Sequence, residues 1–451
     1  MAIFNKLISV MLVCAMIISL HFDACFRDPR TGLSAGKEKV VFWTPPFVEV
    51  QTREWFTKWT DKYNEENDDG IYVELNFIPE DAWAQSINAA RADGNAPDLV
   101  FANYAAVPLE GNAGYYVDLN EYFSEDEWSD IHGYVENMIN VKGTRYIYPA
   151  FVEPYSVLYY SKSKFAAVGL DPEKPPKTWD ELIDYAERLT NNLSGSDKVY
   201  GIQLPPSGQL GWVLWGFQGM AGSELLNENW DTPIYDTAFN RGLFEMFRTI
   251  YKNGWSPKTS AYTYNEINQF ANGRVAMQPC GSWGIGQIKN GFPGILDDVG
   301  IAKFPTPDGD DGVSTAALGG WGMTVSTDSK KPELAVKFMK YLLAGSEEIM
   351  VDFFQGLGYS KFSGRKSVDA VLNTGEYAGN DVYSQYMLDE ILPLSVPEPC
   401  YPWSFSDTFA IKLQEYMLQS GTIDSVMASL GTLMRAYVGS EETAGKNPRK
   451  A

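Results

Sequence analysis

Two tryptophans of this chain stand in glycine-rich settings that are unusual for a core residue. Trp283 lies in GSWGIG, between Gly281 and Gly284, and Trp321 lies in GGWG, directly after Gly320. Glycine removes a side chain, exposes backbone N–H groups and lets another molecule approach closely. One interpretation is a core tryptophan beside a glycine turn. The other is an indole ring held at the wall of a binding cleft.

The histidine content and the motifs argue against most catalytic and metal chemistry. The 451 residues include two histidines, His21 and His132, which leaves no Ser-His-Asp, Cys-His or His-rich zinc site to assemble. The sequence has no Walker A loop and no G-x-G-x-x-G fingerprint after a strand, and TPDGDDG at 306–312 lacks the spacing of a calcium loop. We therefore expect no cofactor and no metal. Acidic residues are numerous, so their number does not exclude the pair of catalytic carboxylates that a glycosidase uses.

Size, composition and charge indicate a large folded protein. A chain of 451 residues is too long for one ordinary core, so two domains or two large lobes are expected. A content of 45% hydrophobic and 21% charged residues is typical of globular proteins. The net charge of −22 argues against binding nucleic acid or an anionic lipid surface, because neutralising phosphates requires clustered Lys and Arg.

The N-terminal segment indicates export and a lipid anchor. Lys6 precedes an apolar run at 7–20, which is short for a membrane span and typical of a signal peptide. The segment resembles a bacterial lipoprotein signal, in which the cysteine after the cleavage site is lipidated. We expect residues 1–24 to be removed, Cys25 to be lipidated and residues 25–38 to form a tether, in the periplasm or at the outer face of the cytoplasmic membrane.

The remaining cysteines leave two possibilities open. With Cys14 removed and Cys25 lipidated, Cys280 and Cys400 are the pair left in an oxidising compartment. They either form a disulfide or stay as two partly buried thiols, and we expect the thiols.

From Lys39 onward, short β runs alternate with amphipathic helices. VVFWT at 40–44 predicts a strand, and the segment 50–67 predicts a helix whose apolar face includes Trp55 and Trp59. IYVELNFI at 71–78 alternates as a half-buried strand does. Such alternation predicts an α/β fold with a largely parallel sheet. Ligands gather at the carboxyl ends of such strands, here 44–47 and 102–104.

The series of segments resembles the carbohydrate-type extracellular solute-binding proteins of bacterial ABC importers, the group that includes maltose-binding protein. The segments run from about residue 39 to 435 and include GNAPDLVFA, YIYPAFVEPYSVLYYSKSKF, FANGRVAMQPCGSWG, IAKFPTPDG, LGGWGMTVSTDSKKPELAVKFMKYLL and PWSFSD. The resemblance implies a two-lobed periplasmic-binding-protein-like fold of type II. Each lobe would be a mainly parallel sheet flanked by helices, with solute in the cleft. The implied division is 39–149 with 300–365, 150–299 with 366–438, and a flexible tail at 439–451.

The resemblance also assigns cleft residues position by position. Trp283 matches an aromatic residue that stacks on a sugar, with Ser282 beside it, and Glu153 matches an acid that accepts hydroxyl hydrogen bonds, with Tyr155 nearby. The loop around Phe47 departs from maltose-type proteins, which carry polar and charged groups there, and this counts against a maltose-like ligand. The expected ligand-binding residues are Trp283, Ser282, Trp321, Gly320, Glu153, Tyr155, Phe47, Asn103, Tyr104, Gln209, Trp212 and Trp403.

The implied function is a non-enzymatic, monomeric receptor. It would capture a sugar, for which we expect an oligosaccharide, and deliver it to the permease of an ABC transporter after hinge closure. Three alternatives stay open: a lipid-anchored glycan sensor or adhesion module, a carbohydrate-active enzyme with a carboxylate pair, and the same fold binding a polyol or peptide. Turnover of an oligosaccharide would identify the enzyme.

Overall fold

The structure is a computed structural model that describes residues 36–204, 225–259, 262–263, 265–310, 313, 316–374, 381–441 and 443–450. Strands and helices alternate along most of this length. The strands are β1 (Glu38–Thr44), β2 (Ile71–Phe77), β3 (Leu99–Asn103), β4 (Asn140–Val141), β5 (Thr144–Arg145), β6 (Tyr148–Pro154), β7 (Val157–Ser161), β8 (Tyr200–Ile202), β9 (Val275–Cys280), β10 (Val299–Lys303), β11 (Ala317–Val325), β12 (Phe362–Ser363) and β13 (Val396–Pro397).

The α-helices are α1 (Val50–Glu66), α2 (Glu80–Ala92), α3 (Val107–Asn112), α4 (Glu125–Ser129), α5 (Gly133–Ile139), α6 (Lys162–Ala167), α7 (Trp179–Leu189), α8 (Ala238–Lys252), α9 (Asn268–Ala271), α10 (Trp283–Gly291), α11 (Pro332–Met339), α12 (Glu347–Gly356), α13 (Lys366–Leu372), α14 (Val382–Tyr386), α15 (Trp403–Leu418) and α16 (Ile423–Ser440). π-Helical turns follow α11 and α14, at Lys340–Ala344 and Met387–Ile391. Short 3-10 helices occupy Leu119–Glu121, Gly195–Asp197, Pro293–Asp298 and Leu392–Leu394.

The described strands form a larger and a smaller sheet, besides the β4–β5 ribbon. The larger sheet has the order β12-β6-β11-β3-β1-β2, with β13 paired to β11, and the smaller sheet has the order β10-β7-β9-β8. Within them, β1 runs parallel to β2 and β3, and β8 runs parallel to β9. Helices flank both sheets, so the α/β fold class predicted from the sequence is confirmed.

Among the described residues, two neighbouring paths lead directly from a strand of one sheet to a strand of the other. The chain leaves the larger sheet at the end of β6 and enters the smaller one at β7, and it returns through β10 and β11. The outgoing and returning strands pair antiparallel, β6 with β11 and β7 with β10, because they run in opposite directions side by side. The pairing is therefore mixed rather than mainly parallel. β10 belongs to the smaller sheet and β11 to the larger one, and the lobe boundaries stay a prediction.

Two apolar clusters hold the fold together. The first packs α1, α11 and α12 around the larger sheet, and the second packs α7, α8, α15 and α16 near the smaller one. In α1 the predicted apolar face is confirmed, since Trp55, Phe56, Trp59 and Tyr63 are all buried. Burying each such ring is worth about 1.5–3 kcal/mol on area alone, which explains why these residues fix the position of the helix.

A capping box begins α7, as the spacing of Thr178 and Glu181 in KTWDEL indicates. Thr178 Oγ1 accepts from the backbone N–H of Glu181, and the Glu181 carboxylate accepts from the backbone N–H of Thr178. Cys280 and Cys400 are buried in different clusters. Because Cys280 carries a free thiol, no disulfide joins the two, as expected. Within the described ranges, no helix has the length and apolarity that crossing a bilayer requires.

Candidate functional site

A cavity of about 330 Å³ lies where the two sheets meet. Its size falls in the range of about 300–1,000 Å³ that small-molecule sites occupy. Residues attached to both sheets contribute, including the carboxyl ends of β1 and β3. The lining residues are Pro45, Phe47, Val48, Glu49, Trp83, Ala84, Ala102, Asn103, Ala106, Glu110, Tyr116, Glu153, Tyr155, Asn265, Trp283, Trp321 and Lys361.

Trp283 reaches this cavity from the first position of α10, directly after β9 of the smaller sheet. Its indole Nε1 donates to the backbone carbonyl of Asn265 at 2.9 Å. The ring also stands edge-on to Tyr155, with centroids 5.2 Å apart and planes at 76°. The tryptophan is 5% exposed, so these contacts fix its ring on the cavity wall before any solute arrives.

The glycines around Trp283 make room for protein groups. A Cβ at Gly281 would lie 1.9 Å from the Trp283 ring itself, and one at Gly284 would lie 2.9 Å from Tyr159. A Cβ at Gly286 would meet Ser360 and the Leu357 carbonyl. The space beside these glycines is therefore filled by groups of the protein itself, and not by an approaching molecule as the sequence suggested. The glycines let the indole fold back and let α10 pack tightly.

Trp321 lies in the middle of β11 and lines the same cavity, against Phe47. Their ring centroids are 5.0 Å apart and their planes meet at 72°. Phe47 adopts φ 53°, a conformation that costs a non-glycine residue of the order of 1 kcal/mol or more. The surroundings impose this conformation, since the Phe47 ring also contacts Phe101 and Phe151. An apolar aromatic wall is the result.

A buried ion cluster borders the aromatic residues. Lys361 Nζ donates to Glu153 Oε2 and lies 3.4 Å from Glu49 Oε1. The three residues are 4–7% exposed. Burial by itself would lower the pKa of Lys361, but the two carboxylates reverse this and the net pKa is raised. Burial also raises the pKa of Glu153, although Lys361 opposes that shift.

Another buried acidic side chain, Glu398, contacts Asn103. The Asn103 amide donates from Nδ2 to Glu398 Oε2 at 3.3 Å, while its Oδ1 accepts from the backbone N–H of Ala105. Glu398 is 1% exposed, and burial raises its pKa to about 8, with the nearby Glu153 adding to the effect. At neutral pH this carboxyl group is therefore mainly protonated.

Six of the twelve residues predicted from the sequence line the cavity together: Trp283, Trp321, Glu153, Tyr155, Phe47 and Asn103. Ser282, Gly320 and Tyr104 lie next to it without forming its wall. Ser282 is fully buried, and Gly320 packs against Tyr104 and the Phe151 carbonyl. Gln209 and Trp212 lie outside the described residues. Trp403 is the first residue of α15, and its side chain is not among the described parts of the structure.

Sequence reasoning missed Glu49, Lys361, Glu398 and Trp83. Glu49 stands two residues after Phe47, so the first loop does carry a charged group, and the expectation of an apolar loop there was wrong. Lys361 had no local signal, since YSKFS resembles any loop-to-strand junction. Glu398 sits in the PEP segment shortly before PCYPWSFSD, where its position close to a recognised segment was a usable hint.

Comparison with known proteins identifies the family. The sequence profile of the bacterial extracellular solute-binding proteins matches residues 49–344, well over half of the chain. The chain belongs to this family. Its members bind solutes, in agreement with the ligand-sized cavity between the sheets.

A curated relative gives more detail. The sn-glycerol-3-phosphate-binding periplasmic protein UgpB of Escherichia coli K12 is 27% identical over 245 residues, which is 52% of this chain and 53% of that protein. The chain thus spans about half the length of the relatives it matches.

Solved structures extend the likeness over most of the chain. An ABC transporter solute-binding protein of Thermotoga lettingae, bound with α-D-tagatose, has a TM-score of 0.75 at 23% identity and covers 89% of this chain and 100% of that one. The maltose/maltodextrin-binding domain MalE of Bdellovibrio bacteriovorus, bound to maltotriose, has a TM-score of 0.72 at 20% identity and covers 89% and 100%. At such identities the likeness establishes the two-lobed fold.

Proposed function

We propose that this solute-binding protein captures a sugar outside the cytoplasmic membrane and releases it chemically unchanged to an ABC transporter permease. The observation that carries the proposal is that Trp283 and Trp321, attached to different sheets, line one cavity. A ligand lying between them touches both lobes. Such a ligand binds the closed arrangement better than the open one and shifts the population toward it.

The chemistry of the walls suits a ring with one apolar face and several hydroxyl groups. Indole rings stack on C–H faces and add about 0.5–1.5 kcal/mol beyond burial, by analogy with aromatic pairs. Glu153 and Asn103 supply acceptors and donors in a buried site. A buried hydroxyl group without a partner costs about 1–3 kcal/mol, so these polar groups select among sugars. The solved structures bound with tagatose and maltotriose support this ligand class.

The test is a screen of sugars, polyols and oligosaccharides by calorimetry, repeated with Trp283→Ala. We expect at least one sugar to bind, to raise the melting temperature by mass action, and to lose affinity in the variant. Equal affinity in the variant would refute the site. If a product formed during long incubation with an oligosaccharide, the protein would be a carbohydrate-active enzyme and not a receptor.

We further propose that Cys25 anchors the protein to the membrane after removal of residues 1–24. The supporting observation is the basic residue, apolar run and cysteine at the start of the sequence. Intact mass measurement of protein extracted from membranes should give the mass of a chain that starts at Cys25 and carries lipid. Cys25→Ser should remain in the soluble fraction or unprocessed. Lipid-free protein with an intact N-terminus would contradict the anchor.

A further inference from the structure

The cavity carries more negative charge than its single cation balances. Of the described residues that line it, three are acidic, namely Glu49, Glu110 and Glu153, and Lys361 is the one Lys or Arg. Glu110 has its own partner outside the cavity wall, because Arg91 Nη2 lies 3.0 Å from its Oε2. One ammonium group therefore faces two carboxylates.

The ammonium group of Lys361 interacts more closely with Glu153 than with Glu49. Its Nζ donates a hydrogen bond to Glu153 Oε2, whereas Glu49 Oε1, at 3.4 Å, lies within ion-pair range and has no hydrogen-bond donor. Glu49 is 7% exposed. A buried carboxylate oxygen without a donor is costly, and Glu49 faces the cavity from its wall. The Glu49 carboxylate, which lines the cavity, is therefore placed to accept a hydrogen bond from a donor that the solute carries.

The aromatic walls favour a cation at the same place. Lys361 Nζ already lies 4.7 Å from the ring centroid of Phe151, 5.6 Å from Trp283 and 6.0 Å from Phe47. The negative faces of such rings attract an ammonium group, more strongly when it is desolvated. Two of these rings, Phe47 and Trp283, line the cavity, so a solute ammonium group beside them would be attracted by the rings and by Glu49, against the repulsion of Lys361.

From this arrangement we infer that the solute carries a protonated amine, as an amino sugar does, and that Glu49 accepts its ammonium group. The inference rests on the proposed function and narrows its ligand class. The same geometry disfavours solutes with a phosphate or carboxylate group, because Lys361 is already shared between two acids. The ligand named for the relative UgpB, sn-glycerol-3-phosphate, does not suit this cavity.

The experiment compares matched sugars on the full-length protein by calorimetry near neutral pH. The pairs are glucosamine with glucose, galactosamine with galactose, mannosamine with mannose, and the disaccharide of glucosamine with cellobiose and with its N-acetylated form. We expect one amine to bind at least about tenfold more tightly than its hydroxyl and acetylated counterparts, and sn-glycerol-3-phosphate not to bind.

Variants of Glu49 assign the preference to its carboxylate. Glu49→Gln should reduce the preference for the amine to about threefold or less. Glu49→Asp retains the negative charge and should keep most of the preference for the amine. It provides the second measurement if Glu49→Gln folds poorly. Glu54→Gln, on the exposed side of α1, is the matched control and should leave the preference unchanged.

Two results overturn the inference in different ways. If a neutral or acetylated sugar, or the phosphate ester, binds as tightly as every amine, the solute class is wrong while capture of a solute stands. If no sugar in any series binds, the proposed function fails as well.

Discussion

Phe47 and Trp321 meet edge to face across the first lobe, with ring centroids 5.0 Å apart and ring planes at 72°. Phe47 belongs to the loop after β1 and Trp321 to the middle of β11, so the contact joins two segments far apart in the sequence. Trp321 also lies parallel to Phe101, at 6.2 Å and 6°. The indole is thus held in one orientation, with part of its surface left for a solute.

Trp321→Ala should therefore weaken binding of the best sugar by about tenfold or more, since both stacking and apolar burial are lost. Calorimetry at a temperature where the variant is fully folded measures this effect. Trp255→Ala is the control, because Trp255 is partly buried in the second cluster and does not line the cavity. A loss of affinity that is equal in both variants would mean a general effect on folding and would contradict stacking on Trp321.

Removing the shared cation should destabilise the protein strongly. Lys361→Met leaves Glu153 and Glu49 buried without their partner, which typically costs about 3–5 kcal/mol of unfolding free energy. Without the ammonium group that opposes it, the upward shift in the pKa of Glu153 grows. Because an acid whose folded pKa is raised stabilises the fold at low pH and loses that contribution as pH rises, acidification to about pH 5 should recover part of the stability.

Urea denaturation at two pH values measures the effect. The control is Lys337→Met, whose exposed ion pair with Asp69 should contribute about 0–1 kcal/mol. If both variants lost equal stability, the Lys361 cluster would have no special role.

Local patterns could predict most elements of this fold but not its charged cluster. The apolar face of α1 and the capping box of α7 follow from spacings within one or two turns. Lys361, by contrast, meets carboxylates from residues 49 and 153, and no periodicity links positions so far apart. The same limit explains the glycines: GSWG signals a close approach, but the sequence does not reveal that the approaching group is the indole itself. Half of the predicted site residues line the cavity because the family's segments keep their order.

Glu398→Gln should change how stability depends on pH. Burial raises the pKa of Glu398 to about 8, well above its ordinary value of about 4.3 in the unfolded chain. Between these values the folded state holds an extra proton, so the stability contributed by this group is complete below the unfolded pKa and is lost as pH rises through the folded pKa. The parent therefore loses stability toward alkaline pH in a way that the amide variant does not.

The measurement is the melting temperature of both proteins from about pH 5 to pH 9, a range that spans most of this titration. We expect the melting temperature of the variant relative to the parent to rise with pH. Glu398→Gln keeps an oxygen that can accept from Asn103, so the hydrogen bond itself is preserved. Parallel curves for the two proteins would contradict a raised pKa at this position.

Gly281→Ala tests whether the glycine serves the indole. A Cβ there would lie 1.9 Å from the Trp283 ring, so the ring must rotate away from Tyr155 or the backbone must shift. Overpacking of this kind costs about 1–3 kcal/mol, and a displaced indole should also weaken sugar binding by about tenfold. Gly291→Ala, at the end of the same helix with open space around it, should be neutral or stabilising by up to about 1 kcal/mol. Chemical denaturation and calorimetry on both variants decide the point: if Gly281→Ala retained stability and affinity like Gly291→Ala, the orientation of Trp283 would not depend on this glycine.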